Sequence, residues 1–340
     1  MTAQLSRILE SIGVALLVFA LVIVAGWGVL ALRYWDHANP TLRIWLAVAY
    51  GVASLLLIVG FVLPPTRWRA FGIFAGLFAI LLIAWKSLQP SNDRDWVAEN
   101  AVLAYATFDG DMVTIHNVRN FDYRSETDFA PAYYDMTVDL RKLDAVDMFA
   151  VYWMGPAIAH VFVSFGFNDG QHVAISVEAR KERGEGYSSV QGFFRQYELY
   201  YVVADERDVV RLRTNYRHDP PEQVYMYRVN GGPDNARRAF LAYLKEIDAL
   251  KDHAEWYNTL TSNCTSNIWL HARVNPGSVP YSWKILLSGY LPQYLYERGK
   301  LDTALPFEEL RRRALINARA HVADQDPNFS QRIRAGEPTP

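Results

Sequence analysis

One cysteine, Cys264, stands in a chain of 340 residues. It lies within His253 to Arg273, HAEWYNTLTSNCTSNIWLHAR. Thr261, Ser262 and Asn263 precede it, residue types that cap helix starts. Ile268, Trp269 and Leu270 follow and begin an apolar helical face. This order puts Cys264 in the first turn of a helix, where unpaired backbone N–H groups and the positive end of the helix dipole favour a thiolate. Such a thiol is a candidate nucleophile. The alternative is a buried cysteine packed as a small apolar residue.

A thiolate nucleophile needs a base, usually histidine, and the base needs a group to orient it. The chain offers eight histidines. His271 follows Cys264 by two helical turns, roughly 10 Å along the axis, too far for a hydrogen bond. His37 lies in a short loop between two apolar stretches, and His116, His218, His253 and His321 have no distinctive setting. His160 opens a β-rich run after the Gly155-Pro156 break. It reads either as the base or as an ordinary strand-end histidine. Asn168, Asp169 and Gly170 form a turn between His160–Phe167 and Gln171–Ala179, the signature of a β-hairpin. Pairing Phe167 with Gln171 sets His160 opposite Glu178. Alternation then places His172, Ala174, Ser176 and Glu178 on one face of the second strand. A one-residue slip would undo this match.

Other chemistries find less support. No G-x-S-x-G elbow, H-E-x-x-H helix or phosphate loop occurs. Glu178, Glu182 and Glu185 could chelate a cation with nearby aspartates, but a solvated charged loop is the simpler reading. Arg180, Arg183, Arg195, Arg211, Arg213 and Arg217 could meet a phosphate or carboxylate, against the simpler reading of surface and strand-edge pairing. A single cysteine rules out an internal disulfide framework and a cysteine-cluster metal site. No metal and no cofactor are expected.

The elements that must hold these residues fall into two parts. Residues 1–90 carry six basic and two acidic residues and three apolar stretches. Ile12–Leu32 and Ile44–Leu63 contain no charge, and each is close to the ~20 helical residues that cross a bilayer. Ala70–Trp85 is shorter, but Arg69 and Lys86 flank it and can snorkel. Trp27, Trp35, Trp45, Trp68 and Trp85 fall near the span ends, as interface anchors do. Residues 1–90 therefore read as a three-span anchor, with spans at about 8–32, 44–63 and 69–88 by length and composition. Charge bias barely orients it: Arg7, Arg67 and Arg69 oppose Arg33, Arg43 and Lys86. With the N-terminus cytoplasmic, three spans put the following domain outside. No ionisable residue lies within the spans, which argues against a transport path.

The rest of the chain has a net charge near −6 from 28 basic and 34 acidic residues. It reads as an ordered α+β domain, and no basic tract or stacking motif points to nucleic acid. Strands are expected at Met112–Val118, Tyr133–Leu140, Asp147–Trp153, Glu198–Val203, Val209–Arg213 and Val224–Val229, besides the hairpin. Short helices are expected at Trp96–Tyr105 and Val190–Tyr197. Longer ones are expected at Asp234–Leu250, from Cys264 onward, and at Phe307–Arg319. The folded domain is expected over 91–325, with 326–340 a loose tail.

The segments AHVFVSFGF, VAISVEARKERGEGYS, FFRQYELYYVVADERDVVRLRTNYR and EWYNTLTSNCTSNI resemble the bacterial family called the Lnb N-terminal periplasmic domain. The resemblance covers roughly Met112 to Tyr296. The family takes its name from a lipoprotein N-acyltransferase in which the periplasmic domain precedes the membrane spans; here three spans come first. The order histidine then cysteine, with Asn-Cys at a helix start, is also similar to the circularly permuted NlpC-type cysteine peptidases. Their papain-like core packs a nucleophile helix against an antiparallel sheet. The resemblance implies Cys264 as nucleophile and His160 as general base. For the third member, hairpin pairing favours Glu178, while the retinol acyltransferase-like enzymes of that wider group place a second histidine where His172 stands, twelve residues after His160. Asn263, or the backbone N–H of Cys264, is the expected oxyanion donor, and Arg180 a substrate-positioning cation. The implied activity is acyl-thioester formation on Cys264, with transfer or hydrolysis on membrane lipids or lipoproteins, at the periplasmic face of a bacterial inner membrane. A cell-wall peptide amidase or peptidase and a non-catalytic envelope scaffold are the alternatives.

Overall fold

The computed structural model describes residues 2–35 and 39–335. His37 and the last five residues of the expected tail lie outside them. The chain divides into two compact units: one formed by the chain to Pro90 with Ser188–Gln196, the other by Ser91–Tyr187 and Tyr197 onward.

In the first unit the apolar stretches form helices α1 (Thr2–Arg33), α2 (Pro40–Val62) and α3 (Arg67–Lys86), each long and apolar enough to cross a membrane. Asn39 caps α2 by accepting the Thr41 N–H at 2.9 Å. Most large apolar side chains of the three helices face outward, as lipid-facing surfaces do, while Phe61, Phe74 and Leu81 are buried among them. Gly28 leaves room for the Tyr50 ring, which would lie 2.5 Å from an added Cβ. Arg195 donates to the carbonyls of Trp85, Lys86 and Leu88 and lies over the Trp85 ring. The short helix expected over Val190–Tyr197 is a single 3-10 turn, Gln191–Phe193.

The second unit is built on an eight-stranded sheet: β1 (Tyr105–Asp109), β2 (Met112–Arg119), β3 (Tyr133–Asp139), β4 (Leu143–Tyr152), β5 (His160–Phe167), β6 (His172–Arg180), β7 (Glu198–Ala204) and β8 (Gln223–Arg228). The order is β1-β2-β7-β6-β5-β4-β8, with β3 also paired to β2. All neighbours are antiparallel except β2 and β7, joined in parallel at Arg119 and Ala204. The sheet is therefore mixed, where a purely antiparallel one was expected. β4, β5 and β7 read as near-continuous apolar runs because both faces are covered. On one face Val163, Phe165, Val173, Ile175 and Tyr201 pack against Phe240, Tyr243, Leu244 and Ile247 of α5 (Gly232–Asp252). On the other, Phe149, Phe162, Ala174 and Val202 pack against α4 (Glu206–Arg211) and the C-terminal helices.

The remaining helices are α6 (Cys264–Ala272), α7 (Trp283–Leu286), α8 (Leu291–Glu297), α9 (Phe307–Ala314), α10 (Asn317–Val322) and α11 (Phe329–Ile333). Four expectations are corrected here. The helix expected over Trp96–Tyr105 is one 3-10 turn, Ala98–Asn100, before β1. Val209–Arg213 is not a strand but lies in α4 and the π-helical turn Leu212–Tyr216. Asp205 caps α4 through the Arg207 N–H at 2.8 Å, and Glu206, Asp208 and Arg211 are buried in ion pairs with Arg334, Arg119 and Asp122. The helix expected over Phe307–Arg319 is broken into α9 and α10, with Ile316 N donating to Val224 O of β8. The stretch expected as a loose tail contains α11, whose Phe329 and Ile333 are fully buried.

Candidate active site

Cys264 is the first residue of α6. Asn263 precedes it with extended backbone and closes a capping box: its Oδ1 accepts the Ser266 N–H at 2.9 Å, and Ser266 Oγ accepts the Asn263 N–H at 2.8 Å. Asn267 N donates to Asn263 O. The Cys264 N–H has no hydrogen-bond partner among the described residues and sits at the positive end of the helix dipole. Thr265 Oγ1 donates to Ile285 O at 2.7 Å and ties the head of α6 to α7.

The hairpin carries the partners in the expected register. Gly166 pairs with His172 and Val163 with Ile175, and Phe167 N donates to Gln171 O at 2.9 Å. Gly170 takes the left-handed φ of +89° that the turn requires. His160 thus comes to Glu178, its Nε2 3.0 Å from Oε1. Ser176 joins them: its Oγ lies 2.8 Å from His160 Nε2 and donates to Glu178 Oε1 at 2.7 Å. Arg213, from the turn after α4, donates to Glu178 Oε1 at 3.2 Å, and Glu222 lies 3.4 Å from the same guanidinium. The His160 imidazole and the Val161 backbone N–H both act on the Cys264 sulfur and favour its thiolate.

These contacts set the charge states. Burial pushes His160 toward losing its proton, but the Glu178 carboxylate, with the imidazolium's hydrogen bonding to Cys264 and Glu178, more than offsets it and raises His160 to about 9. Burial pushes Glu178 up, yet the His160 charge and hydrogen bond and the Arg213 charge hold it well below the carboxylate range. Burial pushes the Cys264 thiol up, while the His160 hydrogen bond and charge and the Val161 N–H bring it below an ordinary thiol. At neutral pH His160 keeps its proton, and the Cys264 thiol beside it is shifted toward the thiolate, with a carboxylate on the far side of the imidazole. Such a pair can attack a carbonyl carbon and hand a proton to the leaving group.

Of the other expected site residues, Asn263 is the helix cap, and its amide nitrogen is engaged by Thr259 O at 2.6 Å. Of the two donors considered, the Cys264 N–H is the one left without a partner among the described residues. His172 lies at the opposite end of β6 from Glu178, roughly 20 Å away at strand rise, with Nδ1 against Gly170 O. It does not join the dyad. Arg180 is buried and committed to Asn100 O, Asn92 Oδ1 and Ala101 O, with its guanidinium 4.1 Å from the Trp96 ring centroid. It is a structural cation and not a substrate contact. His271 is likewise structural: Nε2 meets Tyr201 Oη at 2.8 Å, and burial lowers it to about 4. Sequence reasoning placed Ser176 on the right face without giving it a role. Arg213 was hidden in a segment read as a strand. Tyr257 was also missed: its phenol is raised by burial and then by the Cys264 charge, and its Oη lies 3.3 Å from that of Tyr187. No His, Cys, Asp or Glu cluster fit for a metal occurs among the described residues.

Residues 129–289 match the family model described as the Lnb N-terminal periplasmic domain. That span contains Cys264, His160, Glu178 and Arg213, and it lies inside the segment where the resemblance was expected. No curated protein and no solved structure matches the chain.

Proposed function

For a membrane-anchored chain whose residues 129–289 belong to the Lnb N-terminal periplasmic domain family, we propose a thiol enzyme that forms an acyl-thioester on Cys264. The observation that carries this reading is the Cys264–His160–Glu178 constellation at the head of α6. A helix-borne cysteine facing a strand-borne histidine agrees with a permuted, NlpC-type papain-like core. The substrates are acyl esters of membrane lipids or lipoproteins, met at the periplasmic face of the inner membrane by a domain tethered through three spans.

In the forward half-reaction the Cys264 thiolate attacks the ester carbonyl carbon. The Cys264 N–H stabilises the oxyanion. The carbon–oxygen bond breaks, and the His160 imidazolium gives its proton to the departing alkoxide. An amine or water then loses a proton to His160 and attacks the thioester carbonyl, and the carbon–sulfur bond breaks to restore the thiolate. Glu178 keeps the imidazole aligned throughout.

The test is mass spectrometry of the full-length protein incubated with phospholipid and with diacylated lipoprotein. The expected result is an acyl adduct on Cys264, labile to hydroxylamine and absent in Cys264→Ser. No adduct with either substrate, together with cleavage of cell-wall muropeptides by the same preparation, would replace this reading with a peptidase. Inactivity toward both would leave a scaffold.

A further inference from the structure

A second feature of α6 is not used by the thiol chemistry. Its face bearing Thr265, Ile268, Trp269 and Ala272 borders a cavity of about 510 Å³ that Cys264 and His160 do not line. Val146, Met148, Val163 and Phe165 of the sheet form one wall, and Ala236, Ala239 and Tyr243 of α5 another. Ile285, Leu291 and Leu295 close it from the C-terminal side. The small side chains of Ala236, Ala239 and Ala272 leave the space open. The polar lining is drawn largely from the loops Arg228–Pro233 and Asn275–Ser278, with Lys300 and Asp144.

We propose that this cavity holds one long acyl chain bearing an anionic head group, as a binding site distinct from the nucleophile. A methylene is close to a water molecule in volume, roughly 30 Å³, so the space suits a chain of about sixteen or seventeen carbons. The walls carry mainly aliphatic and aromatic carbon, which suits an alkyl chain and not a sugar or peptide. Among the charged groups at the cavity, Arg228 is bound to Asp147 at 2.5 Å, whereas no carboxylate lies within ion-pair distance of Lys300 among the described residues. The Lys300 ammonium is the cation that meets the head group. Tyr243 has a buried hydroxyl without a partner among the described residues, a group that favours a polar atom of a ligand or water.

The test uses full-length protein in lipid nanodiscs and a photoactivatable palmitate carrying a diazirine near its chain end. Peptide mapping should find crosslinks on Val146–Met148, Ala236–Ala239 and Ile268–Ala272. Unlabelled palmitate should compete, and octanoate should do so more than about a hundredfold less well, since each methylene adds roughly 0.8 kcal/mol. Ala239→Trp, and independently Ala272→Leu, should cut labelling about tenfold or more. Lys300→Gln should weaken palmitate competition a few-fold while leaving a neutral hexadecanol probe unchanged. Cys264→Ser should label like the wild type, which separates this site from the thioester reading. Labelling confined to α1–α3, or undiminished in both cavity-filling variants when their melting is normal, would overturn the proposal.

Discussion

Glu178→Gln isolates what the carboxylate does for the dyad. The wild-type group lies 3.0 Å from His160, with its side chain 29% exposed. A full charge pair at that distance is worth roughly 5 kcal/mol at an effective dielectric near 20. Partial solvent access and the competing Arg213 charge reduce this to about half, roughly 2–3 kcal/mol, so the variant's imidazole pKa should drop by about 2. His160 then falls from about 9 to near neutrality. Losing the imidazolium removes the main support of the thiolate, and the relief from losing Glu178's own negative charge is the smaller effect. Cys264 is the only thiol in the chain, so the rate of iodoacetamide alkylation against pH reports on it alone. The wild type should alkylate with its acid limb below that of an ordinary thiol and its basic limb near 9. The variant should lose rate at pH 6 to 7, with its basic limb moved down by about 2 pH units. The linked stability has a definite sign: the raised His160 pKa contributes stability that is complete below the ordinary histidine value of about 6.5 and is lost as pH rises through about 9. Superimposable alkylation profiles, in a variant that melts normally, would refute the assignment of Glu178 as the orienting group.

Three further outcomes are expected. Arg334→Ala strands the fully buried Asp147 and Glu206, to which Arg334 donates at 2.7 Å each, and should cost about 3–5 kcal/mol in denaturant unfolding. The cost should shrink in strong acid: burial would raise Glu206, but the Arg334 charge and hydrogen bond hold it at about 2, so its contribution is present above the ordinary glutamate value and lost as pH falls through about 2. Gly289→Ala sets a Cβ 2.1 Å from Pro156 O and 2.7 Å from Ala157 C, and should lower stability by about 1–3 kcal/mol and slow Cys264 alkylation, measured alongside melting. His172→Ala should leave the alkylation profile unchanged and move stability by no more than about 0.5 kcal/mol; a lost alkylation limb would return His172 to the site.

Local sequence carried the hairpin and the helix that begins at Cys264 because each is fixed by residues close in the chain. The Asn168-Asp169-Gly170 turn admits one register, and period-two alternation then brings Glu178 to His160 with no help from the rest of the fold. Asn263 and Ser266 form a capping box within four residues. Arg213 was illegible for the opposite reason. Val209, Val210 and Leu212 satisfy a strand pattern as well as a helical one, and the helix is settled by Glu206, Asp208 and Arg211 meeting Arg334, Arg119 and Asp122, about 90 to 130 positions away in the chain. The C-terminal stretch misled in the same way. Phe329 and Ile333 make only one helical turn, too short to stand alone, and the helix exists because the sheet face under Phe149 and Phe162 needs covering.

Cys264 and His160 come from elements more than a hundred residues apart, and one short segment ties both down. Ile285 O accepts from Thr265, next to Cys264, at 2.7 Å. Three residues on, Ser288 Oγ accepts the Ala159 N–H at 3.0 Å, immediately before His160. Gly289 N donates to Ala157 O at 3.0 Å, and its own carbonyl accepts the Tyr152 hydroxyl at 2.6 Å from β4. The sulfur and the imidazole are therefore referenced to the same five residues as well as to each other. This gives a physical reason for Gly289 at a point where a Cβ would strike backbone atoms, which cannot yield as a side chain can. A dyad held only by its own hydrogen bond would drift with each motion of α6. Holding both members against Ile285–Gly289 limits that drift, and it is the kind of preorganisation a thiolate needs to meet a carbonyl carbon at a fixed distance.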